Sequence, residues 1–228
     1  MSSKGSSAGT ALLKEVRMTV MAPPVISDPR SPPLIARVRA ILVQPRSEWA
    51  TIAAEPATVG GLYAGYILWL AALAPLASVI EASVFGIRLP YGGIYRVPVA
   101  SAASSAVVRY AVALVITYVL ALVIDALAPT FGGTRSPIRA LKVAAYASTP
   151  SWVAGAFAAV PLLSGLELLG LYSLYLVFLA LPAVMGAPRD RALGYAAAVI
   201  ACAAVLFLVG GAVAARFVGF PLLSLPVR

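Results

Sequence analysis

The chain has 228 residues, of which 61% are hydrophobic, only 11% are charged and none is histidine. Soluble domains are about 45–50% apolar and about 25% charged, so this composition excludes a soluble globular enzyme and a disordered protein. The lack of histidine and the single cysteine, Cys202, argue against histidine-assisted catalysis, a metal or haem site and an internal disulfide. We therefore predict no catalytic, cofactor-binding or metal-binding residues, no cofactor and no enzymatic activity.

The chain is expected to begin with a disordered tail over residues 1–33, which is polar and rich in Ser and Pro, and within which Met18 and Met21 are alternative start positions. Residues 34–56 are predicted to form two short amphipathic helices separated by Pro45. Their aliphatic residues and Trp49 are typical of helices that lie in the headgroup layer of a membrane. The alternative is a pair of cytosolic helices packed on the loops of a helix bundle.

Five apolar segments follow, each long enough to cross about 30 Å of hydrocarbon. We predict an all-α, polytopic integral membrane protein in which residues 34–228 form one domain. The stretch from 143 to 185 is about twice the length of one span, so it is divided into two by a turn at Pro161–Gly165. Asp190 is a candidate N-cap of the last helix. The predicted spans cover residues 60–84, 101–127, 143–160, 165–185 and 193–218.

The basic residues predict the orientation. Twelve of the 17 Lys and Arg residues precede the first span or lie in the second-to-third and fourth-to-fifth connections, and five lie on the other side. Since cytoplasmic loops carry an excess of Lys and Arg, the N-terminus is expected in the cytoplasm and the C-terminus outside. The net charge of +9 is explained by topology and does not require a nucleic acid partner.

Two groups of residues are candidates for function. Glu81, Arg109 and Glu167 fall near the outer ends of their helices, where ionisable groups are costly. They form either an outward-facing substrate or proton site or a rim cluster that pins the helices. The second group is a candidate cytoplasmic interaction face, whose members are Arg37, Arg39, Arg46, Trp49, Arg135, Arg139, Lys142, Arg189 and Arg191.

Several stretches, in this order and with this layout, resemble the bacterial branch of the Yip family of five-span, Ypt/Rab-interacting membrane proteins. They are Ile35–Leu42, Pro45–Trp49, Ile52–Pro56, Ala128–Gly133, Ala140–Tyr146 with Thr149 and Pro150, Gly170–Tyr175 and Ala192–Tyr195. The resemblance implies a cytoplasmic N-terminus, a five-helix bundle and a non-enzymatic role. Eukaryotic members resemble adaptors that contact prenylated GTPases. Their Asp-Leu-Tyr-Gly-Pro type signature corresponds only loosely to Asp125–Pro129 of this chain.

The leading hypothesis is a membrane adaptor or scaffold of a bacterial inner membrane with a cytoplasmic interaction face. Its expected partners are membrane lipids and an unidentified protein, or a second copy of the chain. The alternatives are a small transporter or channel, which the proline-interrupted spans favour, and a lipid-handling or curvature-shaping protein, which the interfacial helices favour.

Overall fold

The computed structural model describes residues 33–88 and 92–217, so the predicted tail lies outside the described residues except for Pro33. Two short helices come first, α1 (Leu34–Val43) and α2 (Pro45–Ala54). Pro45 occupies the first position of α2, where its fixed φ fits the helix and its missing N–H costs nothing. The same residue prevents α1 from continuing, as predicted.

Four helices in the described residues are long and apolar enough to cross a membrane. They are α3 (Val59–Phe85), α4 (Val99–Leu127, extended by a 3-10 turn to Phe131), the helical segment Pro161–Met185, and α8 (Arg189–Phe217). Within α3, residues Tyr63–Ile67 and Glu81–Phe85 form π-helical turns. These four correspond to the predicted first, second, fourth and fifth spans.

The predicted third span, residues 143–160, is divided in the structure. It contains the end of α5 (Pro137–Ala147), then α6 (Thr149–Gly155) and a 3-10 turn over Ala156–Ala159, with a break at Ser148. Neither helix is long enough alone to count among the four. The break precedes Pro150, whose ring and missing N–H interrupt a continuous hydrogen-bond ladder.

The expected turn at Pro161–Gly165 is instead the start of a 3-10 helix, Pro161–Leu171, which continues into α7 (Tyr172–Met185). Two other details also differ from expectation. The connection between α3 and α4 contains a small antiparallel ribbon of β1 (Ile87–Arg88) and β2 (Ile94–Tyr95), so the helical fold also has one short strand pair. Asp190 lies inside the first turn of α8, which begins at Arg189, and is therefore not its N-cap.

The core is centred on α5. Every residue from Ala140 to Ala147 is buried, because α4 and α7 pack against this helix on different sides. A helix that is apolar nearly all round is stable only when it is enclosed in this way. α8 packs on α4 and α7, while α2 packs on α7, so the two short N-terminal helices are part of the same body as the long ones.

Candidate functional site

Arg37 on α1 is buried, with 3% of its surface exposed. Its guanidinium forms ion pairs with Glu48 on α2 and with Glu55, the residue just after α2. Nη2 lies 2.5 Å from both carboxylate oxygens of Glu55. A planar guanidinium is well suited to hold two carboxylates at once. We call Arg37, Glu48 and Glu55 the arginine cluster; it fastens α1 to α2.

The charge of Arg37 is fixed by this environment. Burial alone would lower the pKa of Arg37, because it penalises the charged form. The hydrogen bond and charge of Glu55, followed by those of Glu48, outweigh that effect and raise the pKa above its ordinary value. Arg37 therefore keeps its positive charge, which holds the arginine cluster together through its two ion pairs.

Lys142 on α5 is 4% exposed and binds the C-terminal end of α2. Its Nζ donates to the carbonyl of Ile52 at 2.7 Å and to the carbonyl of Glu55. The residue four positions after Ile52 is Pro56, which has no N–H to offer that carbonyl. Lys142 supplies the missing donor, so it caps α2 and fastens it to α5.

Burial lowers the pKa of Lys142. The positive charges of Arg139 and Arg37 lower it further, while the negative charge of Glu55 opposes them. The charges near Lys142 largely oppose one another. Its position is therefore held mainly by its hydrogen bonds to the carbonyls of Ile52 and Glu55.

A chain of aromatic and hydroxyl groups connects the arginine cluster to the bundle. The guanidinium carbon of Arg37 lies 5.7 Å from the ring centre of Tyr146, and that ring lies 4.6 Å from the ring of Tyr66 on α3. Thr149 Oγ1 donates to the carbonyl of Tyr146 at 2.7 Å, which Pro150 leaves without its helical partner. That uses the one proton of the threonine, so Tyr66 donates to Thr149 Oγ1 at 2.6 Å.

A short loop is docked on the C-terminal end of α7. We call residues 131–134 the docked loop. Thr134 N donates to the carbonyl of Met185 at 2.8 Å, and Gly133 N donates to the carbonyl of Ala128 at the same distance. Gly132 has a φ of 77°, and a Cβ there would lie 3.2 Å from Pro188. These contacts bring the C-terminal ends of α4 and α7 together.

The same end of the bundle holds the start of α5. The carboxylate of Asp125, in the last turn of α4, accepts a hydrogen bond of 2.6 Å from Ser136 N. An acid at a helix N-terminus is favourable because it satisfies a free N–H and complements the helix dipole. Tyr195 on α8 stacks on Phe131, with ring centres 5.1 Å apart, and donates to the carbonyl of Ile124.

The predicted interaction face is divided by the structure into buried and exposed residues. Arg37, Trp49 and Lys142 are buried, so they pack inside the protein and do not form surface contacts. The remaining six residues are exposed, and we call them the arginine face: Arg39, Arg46, Arg135, Arg139, Arg189 and Arg191. Asp190 is the exposed acid between the last two of them.

Four members of the arginine face lie at the end of the bundle that holds the docked loop, and the other two are carried by α1 and α2. Arg135 and Arg139 flank the start of α5, and Arg139 is close enough to Lys142 to lower its pKa. Arg191 lies beside the docked loop, its Nη1 3.8 Å from the position of a Cβ at Gly132. Lys142 in turn holds the end of α2, the helix that carries Arg46.

Glu81, Arg109 and Glu167 remain separate from that end. Glu81 is half-buried in the last turn of α3, while Arg109 and Glu167 are exposed. In the described residues the ion pairs are those of Arg37 with Glu48 and Glu55, and these three groups form none with one another. Within the same residues, no group of three or more His, Cys, Asp or Glu could hold a metal ion.

Sequence reasoning missed the roles of Glu48, Glu55, Tyr66 and Thr149. One available signal was the spacing of seven between Glu48 and Glu55, which puts both acids on one side of a helix. The prolines at 56 and 150 were a second signal, since each leaves a carbonyl four residues earlier in need of a donor.

Four apolar helices of membrane-spanning length, with a polar, arginine-rich end, define a multi-pass helical membrane protein. A family model described as the Yip1 domain matches residues 39–210, which is most of the chain, so the chain belongs to the Yip1 family. The matched region includes α2, the docked loop and most of α8. Comparison with curated proteins and with solved structures gave no match.

Proposed function

We propose that this protein is a non-enzymatic membrane adaptor or scaffold whose cytoplasmic surface is the arginine face. The observation that carries the proposal is the combination of six exposed arginines from four separate segments with an internal network that fixes those segments together. A surface held by ion pairs and capped helix ends is preorganised, which reduces the entropy that binding must otherwise overcome.

The expected partner is a protein with an acidic surface. Arginine is favoured at interfaces because its fork-shaped guanidinium binds carboxylates in pairs and stacks on aromatic rings. The exposed acid on this surface, Asp190, leaves a large excess of positive charge. Attraction to an acidic partner would speed association and make binding sensitive to salt.

We further propose a bacterial inner membrane as the location and a five-span arrangement with the arginine face in the cytoplasm. The predicted span over residues 143–160 supplies the additional crossing: 13 residues at 1.5 Å and four at 2.0 Å would extend about 28 Å if the break at Ser148 leaves them roughly in line. The excess of Lys and Arg on that side agrees with this orientation.

Photo-crosslinking in living cells tests the adaptor role. A photoreactive amino acid is placed at Arg46, Arg135 or Arg189, and for comparison at Trp69 or Leu208, which are exposed on long apolar helices. We expect the arginine positions to share a crosslinked protein that the apolar positions lack. Replacement of the other arginine-face residues by glutamine should abolish that product without lowering the melting temperature.

Two results would refute the proposal. One is that the same proteins are captured from the arginine and apolar positions. The other is that the glutamine variant retains the crosslinked product at full yield.

A further inference from the structure

A cavity of about 530 Å³ lies between α4, α5, α6, the 3-10 helix Pro161–Leu171, α7 and α8. This volume is within the range of sites that hold small ligands, roughly 300–1,000 Å³. Most of its wall is aliphatic or aromatic, with Val177, Val199 and Phe207 on the helices α7 and α8. Glu167 and Ser164 bring polar groups to the part formed by the 3-10 helix.

A second cavity of about 280 Å³ adjoins the first. The two share Leu120, Ser148, Ser151 and Phe207 in their walls. The second cavity adds Arg109 from α4, with Ser78 and Trp152 also in its lining. Glu167 therefore lines one cavity and Arg109 lines the other, and the two cavities share two serines.

Both charged groups lie at the same end of the bundle, opposite the arginine face. The docked loop holds the C-terminal ends of α4 and α7 together, so the two helices run in the same direction. Arg109 is in the first third of the helix Val99–Phe131, and Glu167 is in the first third of the segment Pro161–Met185. Their distance from the docked loop places both toward the far end.

Hydrogen bonds join the elements that form the cavity wall near Glu167. Ser151 Oγ lies 2.8 Å from Ser173 Oγ and 3.1 Å from the carbonyl of Gly170. Gly170 permits this approach, because a Cβ there would lie only 3.3 Å from Ser151 Cα. These contacts join the 3-10 helix to α6 at Gly170, three residues after Glu167.

We propose that these joined cavities bind one phospholipid with a primary-amine headgroup, of the phosphatidylethanolamine type. The ammonium group would bind the carboxylate of Glu167, and the phosphate would bind Arg109. One acyl chain would lie along the aliphatic wall, where its burial is favourable. An ammonium with three N–H donors also matches a wall that presents serine and carboxylate oxygens. The surrounding bilayer is the source of such a ligand.

Lipid binding to the purified, delipidated full chain tests this inference. Native mass spectrometry in detergent would compare phosphatidylethanolamine, phosphatidylcholine and phosphatidylglycerol with identical acyl chains. We expect one tightly bound phosphatidylethanolamine per chain, and weaker binding of the other two lipids. Glu167→Gln should weaken phosphatidylethanolamine binding about tenfold while leaving phosphatidylglycerol unchanged, since only the amine contact is lost. Arg109→Gln should weaken all three lipids, because each has a phosphate.

Glu81→Gln and Arg216→Gln are the matched controls, because neither residue lines the two cavities. Both variants should bind lipid like the wild-type protein. Equal binding of the three lipids, or equal effects of Glu167→Gln and Glu81→Gln, would overturn the proposal. So would tight binding of phosphatidylglycerol alone. The arginine face takes no part in this test, so its outcome is independent of the adaptor role.

Discussion

Arg37 contributes to stability because it is the basic residue that pairs with both carboxylates of the arginine cluster. Arg37→Met should lower the free energy of unfolding by about 1–3 kcal/mol. The loss is smaller than for a fully enclosed ion pair, because Glu48 and Glu55 are 14% and 31% exposed and regain some hydration. Thermal unfolding in detergent would measure it.

Arg39 is the matched control for that substitution. It lies two residues further along α1, has the same charge and is exposed. Arg39→Met should change the free energy of unfolding by less than about 0.5 kcal/mol. If the two variants unfold alike, the arginine cluster does not fasten α1 to α2.

Lys142 should give the unfolding of the protein a distinctive dependence on pH. Burial, Arg139 and Arg37 lower its pKa in the folded protein, whereas in the unfolded chain the value is about 10.4. Between these two values the unfolded chain carries more protons, so the free energy of unfolding rises with pH. In Lys142→Met this contribution is absent.

We therefore expect the difference in unfolding free energy between wild type and Lys142→Met to grow as the pH approaches 10.4 from below. Comparison with the variant cancels the titration of the tyrosines. Near neutral pH the substitution itself should cost about 1–3 kcal/mol, because the carbonyls of Ile52 and Glu55 lose their donor. Parallel stability curves for the two proteins would contradict the lowered pKa.

Burial of single side chains was the least predictable property. The sequence led us to expect Arg37 and Lys142 on an exposed interaction face. Their partners lie 18 and 90 residues away in the chain. No local pattern reports such contacts, whereas the six exposed arginines needed only the rule that cytoplasmic loops are basic.

At the scale of elements, the docked loop depends on a left-handed glycine. Gly132→Ala should destabilise the protein by about 1–2 kcal/mol, because alanine is strained at a φ of 77° and its Cβ would crowd Pro188. Limited proteolysis should cleave the variant between α4 and α5 at lower protease concentration. Gly60→Ala is the control, since it meets nothing within 4 Å, and it should leave the cleavage pattern unchanged.

The contact between α4 and α8 offers a sharper test with two adjacent residues. A Cβ at Gly210 would lie 2.4 Å from Ile116 Cδ1 and 3.0 Å from Val112 Cγ1, whereas a Cβ at Gly211 meets nothing within 4 Å. Gly210→Leu should force the helices apart and cost about 1–3 kcal/mol. Gly211→Leu should retain the wild-type melting temperature. Similar losses in both variants would contradict the packing of α8 on α4.

Helix positions were predicted well wherever apolar length and proline were decisive. The break between α1 and α2 at Pro45 and the four long helices follow from those two signals, although the second short helix was expected to begin one residue later, at Arg46. The division of residues 143–160 was not anticipated. Hydropathy does not detect this break, because the carbonyl of Tyr146 that it leaves free accepts a hydrogen bond from Thr149. The 3-10 helix before α7 was likewise read as a turn, since Pro, Ser and Gly are common in both.

At the scale of the whole molecule, the two ends of the bundle differ in chemistry. One end has the docked loop and four exposed arginines, Arg135, Arg139, Arg189 and Arg191. Toward the other end, Glu167 and Arg109 line two cavities. The proposed adaptor surface and the proposed lipid site therefore lie in different parts of the bundle.

The number of crossings can be decided with three cysteine positions. Cys202→Ser removes the one native cysteine, and Arg135→Cys, Ser164→Cys or Arg189→Cys then adds an exposed one. If residues 143–160 cross the membrane, as proposed, an impermeant maleimide added to intact cells should label position 164 and spare positions 135 and 189. If α5 and α6 stay on the cytoplasmic side, position 164 is spared and position 189 is labelled.

Labelling after the membrane is permeabilised shows that each cysteine is reactive. Since the two arrangements predict opposite results at two positions, label at 189 without label at 164 would overturn the five-span arrangement and place Glu167 on the cytoplasmic side.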